Sequence, residues 1–177
     1  TICMRCNKPM DEYGHHALQC AHGPHVIHRH NAIRDKIMEY IRRNWMDCKK
    51  EQKFKPYDYN KGYVEEIDRQ IPGDIMIENW RPPKAQKGKQ VFIDVTVSNT
   101  FPKTYEAGQA KQTHYITDKR EDDKRSKYPN VEGFLPFAID TMGGIGTTFK
   151  QFLQQLASKE MLFTKKPYAL LIHQMRM

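Results

Sequence analysis

The sequence predicts an α/β protein in which helices flank a sheet, preceded by a small metal-binding segment. Three observations support this prediction. Two short apolar runs rich in β-branched residues lie near the middle of the chain, helical patterns stand on either side of them, and three of the four cysteines fall within the first 20 residues. We therefore expect a metal-binding motif over residues 1–28 and a larger globular domain over 29–177.

The composition predicts one packed domain, and its positive charge bears on the choice of partner. The chain has 177 residues, 38% of them hydrophobic, and no apolar run long enough to cross a bilayer. Its 29 basic and 21 acidic residues give a net charge of +8. This excess favours nucleic acid as the partner, and a basic surface without function is the equal alternative. The clustered cysteines are typical of a metal site in a reducing compartment.

The amino-terminal segment has the ligand spacing of a Cys₃His zinc site. Two residues separate Cys3 from Cys6, so both thiolates can bind one ion from a single turn, and Cys20 supplies the third sulfur. The fourth ligand is His16, with His15 as the alternative. Because the segment has few apolar residues, the metal would supply its folding energy.

A helix is predicted next, with Asn31 as its N-cap. His30 precedes the cap, where it either orients a ligand or closes the helix. The outer face carries Arg34 among other basic residues, and this face either lies along a phosphate backbone or is merely solvated. Cys48, beyond the helix, is expected to be a buried apolar residue. Four apolar residues at every fourth position define the inner face: Ile33, Ile37, Ile41 and Trp45.

An edge strand is predicted over 49–54, and two buried strands follow in the apolar runs that begin at Ile71 and Val91. The turn-forming pair Pro72-Gly73 stands at the start of the first run and Gly88 stands before the second, and both runs are rich in β-branched residues. The first carries Asp74 and the second carries Asp94 at its centre. A carboxylate within a buried strand is costly unless it is paired or binds a metal.

Two carboxylates on neighbouring strands would provide the oxygen ligands that Mg²⁺ prefers. We therefore expect a divalent cation at Asp74 and Asp94. A glutamate could supply a third ligand, and Glu51 is preferred over Glu65 and Glu66.

A charged helix is predicted over 105–127. Its mixed charges are typical of an exposed face with pairs one turn apart, yet phosphodiester hydrolysis also needs a positive group near the metal. Lys124 lies one turn before Tyr128, so both side chains could face the sheet, although composition does not separate Lys124 from its neighbours. Three further elements complete the predicted domain: a buried strand over 132–139, a helix over 147–158 with one apolar face, and a strand over 168–172.

Together these motifs resemble the carboxy-terminal zinc motif and restriction-like endonuclease domain of site-specific non-LTR retrotransposons. The resemblance covers nearly the whole chain. Two features depart from it: Gly73 separates the proline and aspartate of the first strand motif, and either His15 or His16 fits the histidine of the zinc motif. Five motifs occur in the order of the family: the Cys-Cys-His-Cys cluster, Arg29-His30-Asn31, Pro72-Gly73-Asp74, Asp94 within Ile-Asp-Val-Thr-Val, and Lys124 with Tyr128.

The resemblance implies a PD-(D/E)XK fold that cuts DNA with Mg²⁺ or Mn²⁺. Asp74 and Asp94 would bind the metal, Lys124 would orient water or stabilise the developing charge, and Tyr128 would support it. In this superfamily the lysine usually stands two residues after the second acid, where this chain has Thr96. The family places it on the following helix instead, which selects Lys124 and leaves two reserves, Lys111 and Lys119.

The resemblance also implies a biological setting. The domain would be nuclear, would act with a reverse transcriptase and its RNA, and would nick target DNA so that the reverse transcriptase can prime on the freed end. Two rival functions stay open: a zinc-assisted nucleic-acid-binding module with a weak or inactive nuclease centre, and a structure-specific nuclease that resolves branched DNA. Five residues are expected to contact the nucleic acid: Arg29, His30, Asn31, Arg34 and Lys127.

Overall fold

The computed structural model describes residues 1–20, 22, 24–54, 71–82, 85, 87–100, 114–129 and 131–164. The predicted strand over 168–172 lies outside these ranges, as do Glu65, Glu66 and Lys111. None of the helices in the described ranges has both the length and the apolar character needed to cross a membrane. The elements follow one another as α1 (His15–Gln19), α2 (His25–Arg43), β1 (Cys48–Phe54), β2 (Ile71–Trp80), β3 (Lys89–Ser98), α3 (Tyr115–Lys127), β4 (Phe134–Asp140) and α4 (Thr147–Thr164).

The four strands form one mixed sheet in the order β1-β2-β3-β4. The first three strands are antiparallel, whereas β4 runs parallel to β3, with Phe92 beside Phe134. A parallel neighbour needs a crossover connection, and α3 lies on the chain between β3 and β4. The prediction of a sheet flanked by helices is confirmed, and β1 is an edge strand as expected.

The hydrophobic core lies on one face of the sheet, against α2 and α4. Ile75 and Ile93 have no exposed surface, and the ring of Phe137 stacks on that of Phe149 with centroids 4.5 Å apart. Cys48 is buried, as predicted. Because side chains alternate along a strand, Asp74 and the other residues between the core positions of β2 and β3 belong to the opposite face.

The first long helix begins earlier than the sequence suggested. It starts at His25, directly after Pro24, so the prediction of Asn31 as the N-cap is wrong. Pro24 is the N-cap, and its carbonyl accepts the N–H of His28 at 2.9 Å. The histidines after Pro24 therefore belong to α2, and this helix runs through the boundary predicted at residues 28 and 29.

Two further expectations for α2 are corrected. Arg34 was placed on the outer face, yet it is only 2% exposed and lies on the inner side with Ile37 and Ile41. Trp45 was placed on the apolar face, yet it is 88% exposed. The helix ends at Arg43, and the backbone of Trp45 has left the helical conformation with φ of 56°. The side chain of Trp45 therefore no longer points to the face on which the four-residue spacing places Ile33, Ile37 and Ile41.

Candidate metal centres

The amino-terminal segment brings three sulfurs and one imidazole nitrogen together. The ligand atoms of Cys3, Cys6, His16 and Cys20 all lie within 4.8 Å of one another. Sγ of Cys3 is 3.9 Å from Sγ of Cys20, and Sγ of Cys6 is 3.1 Å from Nε2 of His16. Three thiolates and one imidazole form a tetrahedral set that suits Zn²⁺. This Cys₃His cluster can therefore hold a zinc ion, as the spacing predicted.

The first two ligands stand on a tight turn. The N–H of Cys3 donates to the carbonyl of Lys8 at 2.8 Å, and the N–H of Asn7 donates back to the carbonyl of Cys3 at 2.9 Å. Ile2 and Pro9 form an isolated β-bridge that closes the turn. Such a turn needs no apolar core of its own, which agrees with a segment organised by its metal.

Asp11 positions the helix that carries the fourth ligand. Its carboxylate accepts the N–H of His15 at 2.8 Å and the N–H of His16 at 2.6 Å. Gly14, with φ of 74°, bends the chain immediately before this helix. The ring of His15 stacks on Tyr13 with centroids 5.7 Å apart, away from the sulfurs. The structure therefore brings His16 to the cluster and leaves His15 beside it.

The electrostatics of the cluster favour thiolate at one sulfur. The backbone N–H groups of Arg5 and Cys6 lower the pKa of the Cys3 thiol to about 6. Desolvation raises the pKa of the Cys6 thiol, with the other two cysteines adding to the effect. A cation at the centre would instead lower the pKa of the Cys6 thiol, because a metal-bound thiol loses its proton.

A second cluster forms on the sheet, where Asp74 and Asp94 face each other. Ile75 of β2 pairs with Ile93 of β3, and extending this antiparallel register by one residue sets Asp74 opposite Asp94. Directly opposed side chains leave the same face of the sheet with Cβ atoms about 4.5–5.5 Å apart. The two carboxylates are therefore neighbours, although 20 positions separate them in the sequence.

Asp94 is the more buried of the two acids, with 7% of its surface exposed. Burial raises the pKa of this carboxyl, Lys124 opposes the rise, and the charge of Asp74 adds to it. Nζ of Lys124 lies 2.6 Å from its Oδ2 and forms an ion pair with it. A cation at this oxygen would therefore have to displace the ammonium group.

The charged helix α3 directs one lysine inward. Lys124 reaches Asp94, while Lys119 points outward and pairs with Asp123 at 3.5 Å. Tyr128 closes the end of α3, where its ring meets Phe134 edge-on with centroids 5.4 Å apart. Tyr128 thus packs against the start of β4.

Asp74 is held by two donors. Its Oδ2 accepts the backbone N–H of Val95 at 2.6 Å and lies 3.2 Å from Nε2 of His30. The same Nε2 is 3.1 Å from the carbonyl of Val95, so one N–H of the imidazole lies between two acceptors. The Asp74 carboxylate raises the pKa of His30 through this contact, and burial opposes the rise.

The backbone of β1 brings Glu51 level with the two aspartates. Lys50 pairs with Ile75 and Gln52 pairs with Gly73, so position 51 falls beside Asp74 in the register. The side chain of Glu51 is outside the described part of the structure.

The residues expected at nucleic acid have diverse surroundings. Arg29 donates from Nη1 to the carbonyl of Leu18 at 3.1 Å. Oδ1 of Asn31 is 3.5 Å from Nδ1 of His30. Lys127 is exposed, with its ammonium over the ring of Tyr128. Arg34 has almost no accessible surface to offer a phosphate, which corrects its predicted placement.

Sequence reasoning missed Glu121, a fully enclosed acid on α3. It is 1% exposed and accepts the N–H of Thr148 at 2.8 Å and that of Phe149 at 3.2 Å, at the start of α4. The mixed-charge pattern of α3 gave no sign of this role. Gly146 could have suggested it, because a Cβ there would sit 2.2 Å from Oε1 of Glu121.

In comparisons with protein-family models and with curated proteins, nothing matches this chain. The two clusters differ in the metal ions that their ligand atoms suit. The first offers soft sulfur and nitrogen ligands, which suit Zn²⁺, and the second offers hard carboxylate oxygens beside an ammonium group, which suit Mg²⁺ or Mn²⁺.

Proposed function

We propose that this chain is a metal-dependent DNA endonuclease of the restriction-like PD-(D/E)XK kind, from a non-LTR retrotransposon. One observation carries the proposal. Asp74 and Asp94 adjoin the paired residues Ile75 and Ile93 of neighbouring strands, close enough for the charge of Asp74 to act on Asp94, and the ammonium of Lys124 is 2.6 Å from Asp94. Two carboxylates can hold a divalent cation that activates water, and an ammonium group can stabilise the charge that develops on the phosphate.

The donor set fits a hard divalent cation. Mg²⁺ is usually held by one or two carboxylates together with waters and substrate phosphates, and Asp74 and Asp94 offer two carboxylates, of which Asp94 is buried. Asp74 and Asp94 would hold the ion, with Glu51 as the third candidate. When bound, the ion would stabilise charge on the phosphoryl oxygens and lower the pKa of a water ligand.

Lys124 has a distinct task in this proposal. Its ammonium would orient the attacking water or stabilise negative charge that develops on the phosphate. It stands on a helix rather than two residues after Asp94, where Thr96 occupies the usual position. Tyr128 would support Lys124 by fixing the end of α3 against β4.

The substrate and partners follow from charge and from the family resemblance. A net charge of +8 favours a polyanion, and a zinc cluster beside the first helix would enlarge the surface that meets DNA. Nicking of a target site for a reverse transcriptase, with its RNA and in the nucleus, is the role that the resemblance suggests.

A nucleic-acid-binding module without nuclease activity is the second candidate. The contact between Lys124 and Asp94 favours it, because an ammonium at 2.6 Å could balance the buried carboxylate permanently. In that case the pair would serve the fold, and no cation would be required. The two candidates differ in whether a metal displaces Lys124 from Asp94.

Nicking of supercoiled plasmid by the purified chain tests the proposal. The reaction would be run with Mg²⁺, with Mn²⁺ and with chelator, for the wild type and for Asp94→Asn, Lys124→Ala and Lys119→Ala. Lys119 is the matched control because it lies on the same helix and pairs with Asp123 on its outer side. Binding of the same DNA would be measured in parallel.

We expect metal-dependent nicking by the wild type and by Lys119→Ala. Asp94→Asn and Lys124→Ala should lose at least about a hundredfold in rate, as expected for removal of a transition-state contact, while still binding DNA. If every protein binds but none cuts with either metal, the binding module is the correct function. Preference for a four-way junction over duplex would instead identify a junction-resolving nuclease.

A further inference from the structure

Helix α2 contacts both candidate metal centres. Its first residue, His25, lies with Nε2 2.5 Å from the carbonyl of Cys20. One turn later Arg29 donates to the carbonyl of Leu18. Both acceptors belong to the segment that carries His16 and Cys20, and residues four apart lie on the same side of a helix. The amino-terminal half of α2 is therefore fixed to the zinc cluster.

The next residue of α2 reaches the other centre. Nε2 of His30 lies 3.2 Å from Oδ2 of Asp74 and 3.1 Å from the carbonyl of Val95. Val95 also donates its own N–H to Oδ2 of Asp74. Oδ2 of Asp74 therefore contacts two protein donors, and Oδ1 is the oxygen that can bind a cation. The orientation of this carboxylate thus depends on where α2 holds His30.

We propose that Arg29 and His30 are positioning residues that connect the two centres, so that zinc in the Cys₃His cluster sets the affinity of Asp74 and Asp94 for a divalent cation. Arg29 fixes α2 to the cluster, and His30 fixes the rotamer of Asp74. Hydrogen-bond partners of metal ligands commonly contribute a factor of 10–100 in metal affinity. The cation in this inference rests on the proposed function, but the connection between α2 and Asp74 does not.

Arg29 is half-buried and reaches from α2 to α1, where its Nη1 donates to the carbonyl of Leu18. Its Nε is buried and has no hydrogen-bond partner among the described residues, and burying such a group costs free energy.

Two measurements on the whole chain test the connection. The first is Mn²⁺ affinity from the electron paramagnetic resonance signal of free Mn²⁺, with Asp94→Asn to identify the site. The second is hydrogen exchange of the Val95 amide, which donates to Asp74, compared with the Phe92 amide, which donates to Gly133. Both would be measured with zinc bound and after its removal by a chelator.

The variants separate positioning from general damage. His30→Ala removes the donor to Asp74, and His30→Gln returns an N–H at a similar distance from the backbone. Arg29→Leu cuts the link to Leu18. Arg43→Leu is the matched control, because Arg43 lies at the far end of the same helix and pairs with Glu39.

We expect His30→Ala to bind Mn²⁺ about tenfold more weakly, with His30→Gln close to the wild type. Arg29→Leu and zinc removal should weaken Mn²⁺ binding and speed exchange at Val95, with Phe92 and the Arg43→Leu variant unchanged. Wild-type affinity and exchange in His30→Ala would overturn the inference, as would equal loss of protection at Val95 and Phe92. If the wild type binds no Mn²⁺ at Asp94, the proposed function fails, and exchange at Val95 alone decides whether the connection exists.

Discussion

Asp11 determines which of two adjacent histidines meets the sulfurs of the zinc cluster. By accepting the N–H groups of His15 and His16, it fixes the start of α1 and directs the ring of His16 to Cys6. The pKa of Asp11 is lowered, chiefly by the N–H of His16. Sequence spacing alone permitted either histidine, because both are close enough along the chain to reach the sulfurs. The orientation of α1 decides between them, and it depends on the carboxylate of Asp11, several residues earlier.

We expect the purified protein to carry one zinc ion per chain and His16→Ala to lose it. His15→Ala should keep the ion, because its ring stacks on Tyr13 outside the cluster. Elemental analysis after dialysis against a weak chelator would measure the zinc content of both variants. Retention by His16→Ala together with loss by His15→Ala would reverse the assignment.

Glu121 holds the start of α4 against α3. Glu121→Gln replaces an acceptor oxygen with an NH₂ group that faces the N–H donors of Thr148 and Phe149. Leaving buried donors unsatisfied costs about 1–3 kcal/mol of the free energy of unfolding, which urea denaturation would measure.

Asp122→Asn is the matched control for this change. Asp122 is the next residue of α3 and is 69% exposed, paired with Arg125. Exposed ion pairs contribute little, so its urea midpoint should stay near that of the wild type. Equal midpoints for the Glu121 and Asp122 variants would show that the enclosed carboxylate does not hold α4.

Local patterns singled out Asp74 and Asp94, and the family resemblance singled out Lys124, but neither indicated which side chains contact Asp74. Asp74 and Asp94 were recognised because a carboxylate in a buried strand is unusual. The contact of His30 with Asp74 joins residues 44 positions apart, and no local pattern encodes it. Arg34 was misplaced for a different reason: its charge suggested an exposed face, although it stands three and seven residues before Ile37 and Ile41, on the same side of the helix.

At the scale of elements, the strands were predicted better than the ends of the helices. The runs at Ile71 and Val91 are strands because β-branched residues favour extended backbone in a packed sheet. The start of α2 was missed because the histidines after Pro24 were assigned to the zinc segment. Its end was missed because Trp45 continued the apolar spacing beyond the last helical residue.

The backbone just beyond the carboxyl end of α2 is strained at Trp45. Trp45 stands just past the helix with φ of 56°, and its N–H bonds back to the carbonyl of Arg42. Glycine is favoured at this position, because other residues pay about 1–2 kcal/mol in the left-handed region. Since the ring is exposed, Trp45→Gly should be more stable than Trp45→Ala by about 1 kcal/mol.

Chemical denaturation of both Trp45 variants measures this difference. Alanine removes the ring but keeps a Cβ, so the difference between alanine and glycine reports the cost of holding a Cβ-bearing residue in the left-handed conformation. A Trp45→Ala variant as stable as Trp45→Gly would mean that the left-handed conformation of Trp45 carries no cost.

At the scale of the whole molecule, the net charge of +8 makes a prediction about DNA. Each phosphate contact releases counterions, so affinity should fall linearly with salt on a logarithmic plot, by at least about tenfold between 50 and 200 mM. Lys127→Gln, at the exposed end of α3, should reduce the slope by about one. Filter binding or fluorescence anisotropy would provide both slopes, and an affinity independent of salt would argue against phosphate contacts.

The parallel pairing of β3 with β4 has a consequence for the order of folding. The antiparallel strands β1 to β3 join residues close in sequence, whereas Phe92 must find Phe134, 42 positions away. Contacts of long sequence separation form slowly, so we expect the two aspartates to meet before Lys124 arrives with the crossover. Pulse-labelled hydrogen exchange would reveal early protection in β2 and late protection in β4. The chain would then assemble its acids first and receive the balancing lysine in its last step of folding.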